Sequence, residues 1–123
     1  MGEEVKDITI IGAGPSGLFT AFQAGMHEAS VRIIDSMSEP GGQLTALYPE
    51  KYIFDAPGFS KVTAKDFADN LFAQANQFSP ELCFNETVVE ISSTPPSGKG
   101  GLGGFERLLI STTVSVRQSS GVN

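Results

Sequence analysis

The sequence predicts an α/β domain in three layers with a parallel sheet, and three observations carry that prediction. Residues 7–11 form a short run rich in Ile and Thr that stops at a glycine, as a buried strand does before a tight turn. Between Pro15 and about residue 28, Leu18, Phe19, Phe22 and Met26 recur at helical spacing, while Ala21 and Gly25 are small enough to let the helix lie close to a sheet. Residues 31–34 give a second β-branched run, interrupted only by Arg32, which ends at Asp35. Strand, helix, strand in that order favours a parallel pair with a right-handed crossover.

The turn between the first strand and the helix reads G-A-G-P-S-G: Gly12, Ala13, Gly14, Pro15, Ser16 and Gly17. In this context each glycine has a job. Gly12 permits the sharp turn, Gly14 has no Cβ to obstruct a pyrophosphate, and Gly17 lets the helix press against the strand. Phosphates then meet the unpaired amides and the positive end of the helix, and Pro15 suits a first helical position because its missing N–H would not be used there. Asp35 lies about 20 residues further on, where a carboxylate accepts from the hydroxyls of an adenosine ribose and disfavours a 2′-phosphate. The pattern is that of a Rossmann-like FAD/NAD(P)-binding domain, and no G-K-[ST] follows to make it a triphosphate loop. The ADP half common to FAD and NAD is what such a unit recognises, so these residues alone leave both open.

Bulk properties narrow the alternatives. The chain has 123 residues, 40% hydrophobic and 18% charged, with a net charge of -6. That balance and the lack of a basic patch argue against nucleic acid. No apolar run approaches the roughly 18 residues that span a bilayer, the acidic start lacks an export signal, and Lys6 stands where a myristoylation signal wants Ser or Thr, so the expected compartment is the cytoplasm. Cys83 is the single cysteine, flanked by Leu82 and Phe84, and reads as a structural thiol rather than a nucleophile. No catalytic acid, base or metal cluster stands out; His27 is expected to face solvent.

Residues 39–60, with Pro40, Pro49 and Pro57, three glycines and four aromatics, read as an ordered excursion rather than a strand or helix. Thr63 is the expected N-cap of a helix reaching about Phe78, with Asp66 three residues on and a stripe of Ala64, Phe67, Leu71, Ala75 and Phe78. Residues 82–84 and 87–93 read as strands, the latter alternating Val and Ile with polar residues. Residues 94–104 form a Gly/Pro-rich loop, residues 105–113 and 114–117 read as two strands that pair antiparallel in a partial β-meander, and residues 118–123 as a disordered tail.

The excursion decides between cofactors by likeness. Gly41, Gly42, Gln43 and Leu44 form a G-G-Q-L turn that, with the glycine fingerprint, resembles the FAD domain of thioredoxin-reductase-like flavoenzymes. Within that group, A-L-Y-P-E-K-Y-I-F-D (46–55) and A-P-G-F (56–59) resemble ferredoxin:NADP(+) reductase of the thioredoxin-reductase-like type. The likeness covers residues 6 to about 93. It implies a homodimeric flavoprotein that passes electrons between NADPH, FAD and ferredoxin or a similar carrier. It also implies FAD contacts at Ser16 in the phosphate turn, Asp35 on the ribose, Gly42, Gln43, Leu44 and Tyr48 towards the flavin, and Val88 beside the adenine. Residues 1–93 are then the N-terminal portion of an FAD-binding domain, incomplete at the C-terminus, with the NADPH site in a domain the chain does not contain. Two other readings stay open: part of a thioredoxin-disulfide reductase, which would need a C-x-x-C downstream, and a non-enzymatic nucleotide-binding fragment.

Overall fold

A computed structural model describes residues 4–94 and 111–118. Its elements in chain order are β1 (Ile8–Ile11), α1 (Pro15–Met26), β2 (Val31–Ile34), α2 (Gln43–Leu47), β3 (Tyr52–Ile53), β4 (Val62–Thr63), α3 (Ala64–Asn76), β5 (Glu81–Cys83), β6 (Glu86–Thr94) and β7 (Ser111–Gln118).

The expected βαβ unit is present. β1 and β2 pair in parallel, Ile8 opposite Val31 and Ile11 opposite Ile34, and β5 adds on the other side of β2 to give a sheet ordered β1-β2-β5. Arg32, the one charged residue in β2, sits opposite Glu81, and its Nε donates to Glu81 Oε2 at 2.6 Å. That cross-strand pair explains why the run tolerates a charge while Val31, Ile33 and Ile34 are buried.

α1 and α3 pack side by side against the sheet, and the core between them is built largely from small residues: Ala13, Ala21, Ala24 and Ala75 surround Leu18, Ile33 and Leu71. Small side chains bring backbones close, and the few large ones then do most of the burial, each worth about 1.5–3 kcal/mol. Leu18, Ala21, Ala24 and Gly25 form the inward face of α1, so Phe19 and Met26, expected to belong to the stripe, are half exposed. Phe19, Phe22 and Phe78 instead make a row along the helix flank, each ring 5.9 Å from the next.

α3 starts as expected, with the Thr63 hydroxyl accepting from Asp66 N at 3.1 Å, but ends at Asn76. Phe78, past that end, covers Gly25: a Cβ on Gly25 would lie 2.4 Å from the ring.

Two expectations are corrected. The excursion does contain regular structure: the five-residue α2, and β3, which pairs antiparallel with β4. Both are too short to leave a periodic trace. Residues 111–118 form one continuous strand, β7, which runs through the expected break between 113 and 114 and pairs with β6, and Gln118 closes β7 rather than opening a tail. Residues 95–110 and 119–123, which hold most of the expected loop and tail, lie outside the described residues.

A bulge between Val88 and Glu90 breaks the alternation expected of β6. Val88 pairs with Val116 and Ile91 with position 114, two residues along β7, so Val88, Ile91 and Val116 share one face.

Candidate functional site

The glycine turn lies at the carboxyl ends of the parallel strands, where open α/β sheets bind ligands. Gly12 has φ +105°, a conformation that side chains resist, and its N–H donates to Ile34 O at 2.8 Å, tying the turn to β2. Gly14 is the N-cap of α1, with Pro15 at the first helical position and no side chain capping the first turn. A Cβ built on Gly14 would meet nothing within 4 Å, so the backbone there is open to a close-approaching ligand. At Gly17 the opposite holds: a Cβ would sit 2.0 Å from the Gly12 carbonyl oxygen and 3.3 Å from Ile10 Cγ2. Gly14 thus faces open space where Gly17 is pressed against backbone.

Asp35 stands at the end of β2 and ties together everything near it. Its Oδ2 accepts from Ala13 N at 2.6 Å and its Oδ1 from Met37 N at 2.8 Å. Its own N–H donates to Cys83 O at 2.9 Å and its C=O accepts from Glu86 N at 3.1 Å. Sequence reasoning assigned the carboxylate to a ribose and did not foresee these backbone partners. Each oxygen keeps a second lone pair, so the two roles are compatible. Beside it opens a depression of about 320 Å³ lined by Gly12, Ile34, Asp35, Ser36, Thr87 and Val88. Val88, expected near an adenine, is half-buried in its wall.

On the other side of the turn, Gly41 N–H donates to Ala13 O at 2.8 Å, with Gly41 at φ +113°. This draws the G-G-Q-L segment against the fingerprint: a Cβ on Gly42 would stand 3.3 Å from Gly14 Cα. A second depression, about 390 Å³, is lined by Pro15, Gln43, Leu44, Tyr48, Lys51 and Ile53. Tyr48 is 64% exposed there, with Lys51 Nζ 5.8 Å from its ring centroid. Lys51 belongs to the 46–55 motif but had no role assigned from sequence; its place three residues after Tyr48 was the available signal, and its N–H donates to Tyr48 O at 3.1 Å.

The expected residues therefore fall into three groups: Asp35 and Val88 on one side, Gly12, Gly14, Pro15, Ser16 and Gly17 in the turn, and Gly42, Gln43, Leu44 and Tyr48 on the other. Ser16 is exposed and also borders a larger apolar groove of about 650 Å³ between α1 and α3, with Phe19, Phe59, Phe67 and Leu71. Among the described residues no charged side chain lines that groove, and it does not reach Asp35. A smaller depression by Lys6 and Pro80 is at the amino ends of the strands, the wrong edge for a nucleotide. His27 is exposed beyond α1, as expected. Burial pushes the Cys83 thiol above its ordinary value, with Glu86 and Glu81 adding to the effect. Among the described residues no cluster of His, Cys, Asp and Glu forms a metal site, and no helix is long and apolar enough to cross a membrane.

Residues 10–73, more than half of the chain, match the family model of the NAD(P)-binding Rossmann-like domain. The chain belongs to that family. This Rossmann-like domain is 58% identical over 86 residues to ferredoxin–NADP reductase 2 of Bacillus cytotoxicus, covering 70% of the chain. It is 56% identical over 91 residues to ferredoxin–NADP reductase 2 of Oceanobacillus iheyensis, covering 74%. The chain spans 26% and 28% of the lengths of those two relatives. Among solved structures, thioredoxin reductase of Streptococcus pyogenes superposes with a TM-score of 0.62 at 29% identity, over 71% of this chain and 27% of that one. Thioredoxin reductase of T. acidophilum gives 0.63 at 27% identity, over 75% and 29%. The Rossmann-like domain thus resembles thioredoxin reductases in shape and ferredoxin–NADP reductases in sequence.

Proposed function

We propose that this Rossmann-like domain is the FAD-holding portion of a ferredoxin:NADP(+) reductase, a cytoplasmic, homodimeric flavoprotein that moves electrons between NADPH, FAD and ferredoxin or a similar carrier. One observation carries the dinucleotide assignment, and the likeness of the G-G-Q-L segment favours FAD as that dinucleotide: two depressions flank a single glycine turn, one edged by Asp35 and Val88 and the other by Gln43 and Tyr48. A dinucleotide needs that layout, with its pyrophosphate central and a ring system at each end. The open backbone at Gly14 fits the pyrophosphate, because a Cβ there is the atom that would otherwise fill the approach.

In this reading Asp35 accepts from the ribose hydroxyls, Val88 supplies an apolar wall to the adenine, and the first turn of α1, with Ser16, faces the phosphates. Gly42, Gln43 and Leu44 lie beside the flavin, Gln43 offering a donor and an acceptor to its edge, while Tyr48 packs its ring or donates its hydroxyl. Bound FAD would supply hydride and single-electron transfer, and the protein's part is to bind, orient and exclude water. The NADPH site belongs to a second nucleotide domain that the relatives' greater length accommodates. Identity of 58% to a ferredoxin–NADP reductase, against 29% to a thioredoxin reductase, favours the first activity over the second.

The test is gel filtration of the chain after mixing with FAD, read by the visible flavin band. A band that co-elutes with wild type and weakens in Asp35→Ala supports the assignment. Flavin that never co-elutes with wild type counts against this chain as an FAD module.

A further inference from the structure

Besides the ribose role proposed above, we infer that Asp35 is a positioning residue for the glycine turn and, through the single residue Ala13, for the G-G-Q-L segment on the far side of the site. The inference rests on the reading that an ADP moiety occupies the turn, and deepens it.

The peptide groups of Ala13 are held at both ends. Its N–H donates to Asp35 Oδ2 at 2.6 Å and its C=O accepts from Gly41 N at 2.8 Å. Ala13 is fully buried, so neither group has water as an alternative partner. The carboxylate is itself fixed through Met37 N on its other oxygen and through Cys83 O and Glu86 N on its own backbone. The chain of contacts thus runs from the end of β2, through the carboxylate and Ala13, to Gly41, next to the Gly42 that approaches Gly14. A hydrogen bond from an amide to a carboxylate is stronger than a neutral one, and a buried amide deprived of its acceptor is costly. Removing the carboxylate therefore releases the Ala13 peptide, and with it the turn and Gly41, whether or not a ribose is present.

A ligand cycle separates this role from ribose recognition. ADP and 2′,3′-dideoxy-ADP are titrated into the 123-residue chain as wild type and as Asp35→Ala, by calorimetry. Positioning predicts that the variant weakens dideoxy-ADP, which has no ribose hydroxyls, by about tenfold. Loss of a negative charge would by itself favour a diphosphate, so that weakening cannot be a charge effect. If the variant weakens ADP while dideoxy-ADP binds as before, the carboxylate acts only through the hydroxyls and the inference is overturned. If wild type binds neither ligand, the ADP assignment fails, and the positioning role is read in the ligand-free chain by amide hydrogen exchange. There Ala13 and Gly41 exchange faster in Asp35→Ala while Leu18 and Ile33 do not; unchanged exchange at Ala13 overturns the inference. Should Asp35→Ala not fold, Asp35→Asn keeps one acceptor oxygen for the two donors Ala13 N and Met37 N, so exchange rises at one of them, and an Asn variant with wild-type exchange at both is the overturning result.

Discussion

Gly17 presses its Cα against the carbonyl of Gly12: a methyl group there would lie 2.0 Å from that oxygen, while the same methyl at Gly14 would touch nothing within 4 Å. The two substitutions therefore have opposite outcomes. Gly17→Ala forces backbone apart at the join of β1 and α1 and costs more than about 3 kcal/mol, or prevents folding, in a urea titration. Gly14→Ala, at φ -77°, leaves stability within about 0.5 kcal/mol of wild type but abolishes co-elution with FAD. Normal flavin retention by Gly14→Ala would mean that the pyrophosphate does not approach there.

Thr63 caps α3 through Asp66 N. Thr63→Ala is expected to lose about 1 kcal/mol by urea unfolding, and Thr63→Ser to recover most of it. An equal loss in both variants would trace the effect to the β4 side of Thr63 instead.

Phe78 occupies the space over Gly25, which a Cβ would enter at 2.4 Å. Gly25→Ala alone displaces the ring and destabilises by about 1–3 kcal/mol. Added to Phe78→Ala it should cost much less, because the obstructing ring has gone; strict additivity in this double-mutant cycle would contradict the contact.

Burial, with Glu86 and Glu81 adding to it, holds the Cys83 thiol protonated above the ordinary thiol range. At a given alkaline pH the folded chain is therefore alkylated by iodoacetamide more slowly than the urea-unfolded chain, and its pH midpoint is displaced upward. Because the folded value is the raised one, the stability it confers is full below the ordinary thiol value and is lost as pH climbs through the raised one. Equal midpoints in the two states would refute the shift.

The parts of this molecule that were legible in its sequence are those whose cause is local. Residues 31–34 were bounded correctly because β-branched residues end at an acid, and Thr63 because a cap and its helix are adjacent in sequence. What stayed hidden depended on distant partners. β7 finds β6 across a long connection, and nothing within 105–117 says so. The five residues of α2 are too few to show a period, and Phe19 leaves the core because α3, far along the chain, sets which stripe of α1 faces inward. For the candidate site, residue types and spacing pointed to the glycine turn and Asp35, while the G-G-Q-L side, Tyr48 and Val88 came from the family resemblance. They did not reveal that the Asp35 carboxylate already holds the Ala13 amide, since any carboxylate at that position reads alike in one dimension.

β6 has nine residues against eight in β7, and the surplus residue is Val89. The ribbon therefore carries one residue of slack beside the bulge. Loss of a residue between Val88 and Ile91 would be absorbed as lost twist, with the pairing of both neighbours intact, whereas the same loss further along would reverse which side of the strand every later residue presents. The strand can thus shorten at that one place without moving Val88 from its post beside Asp35.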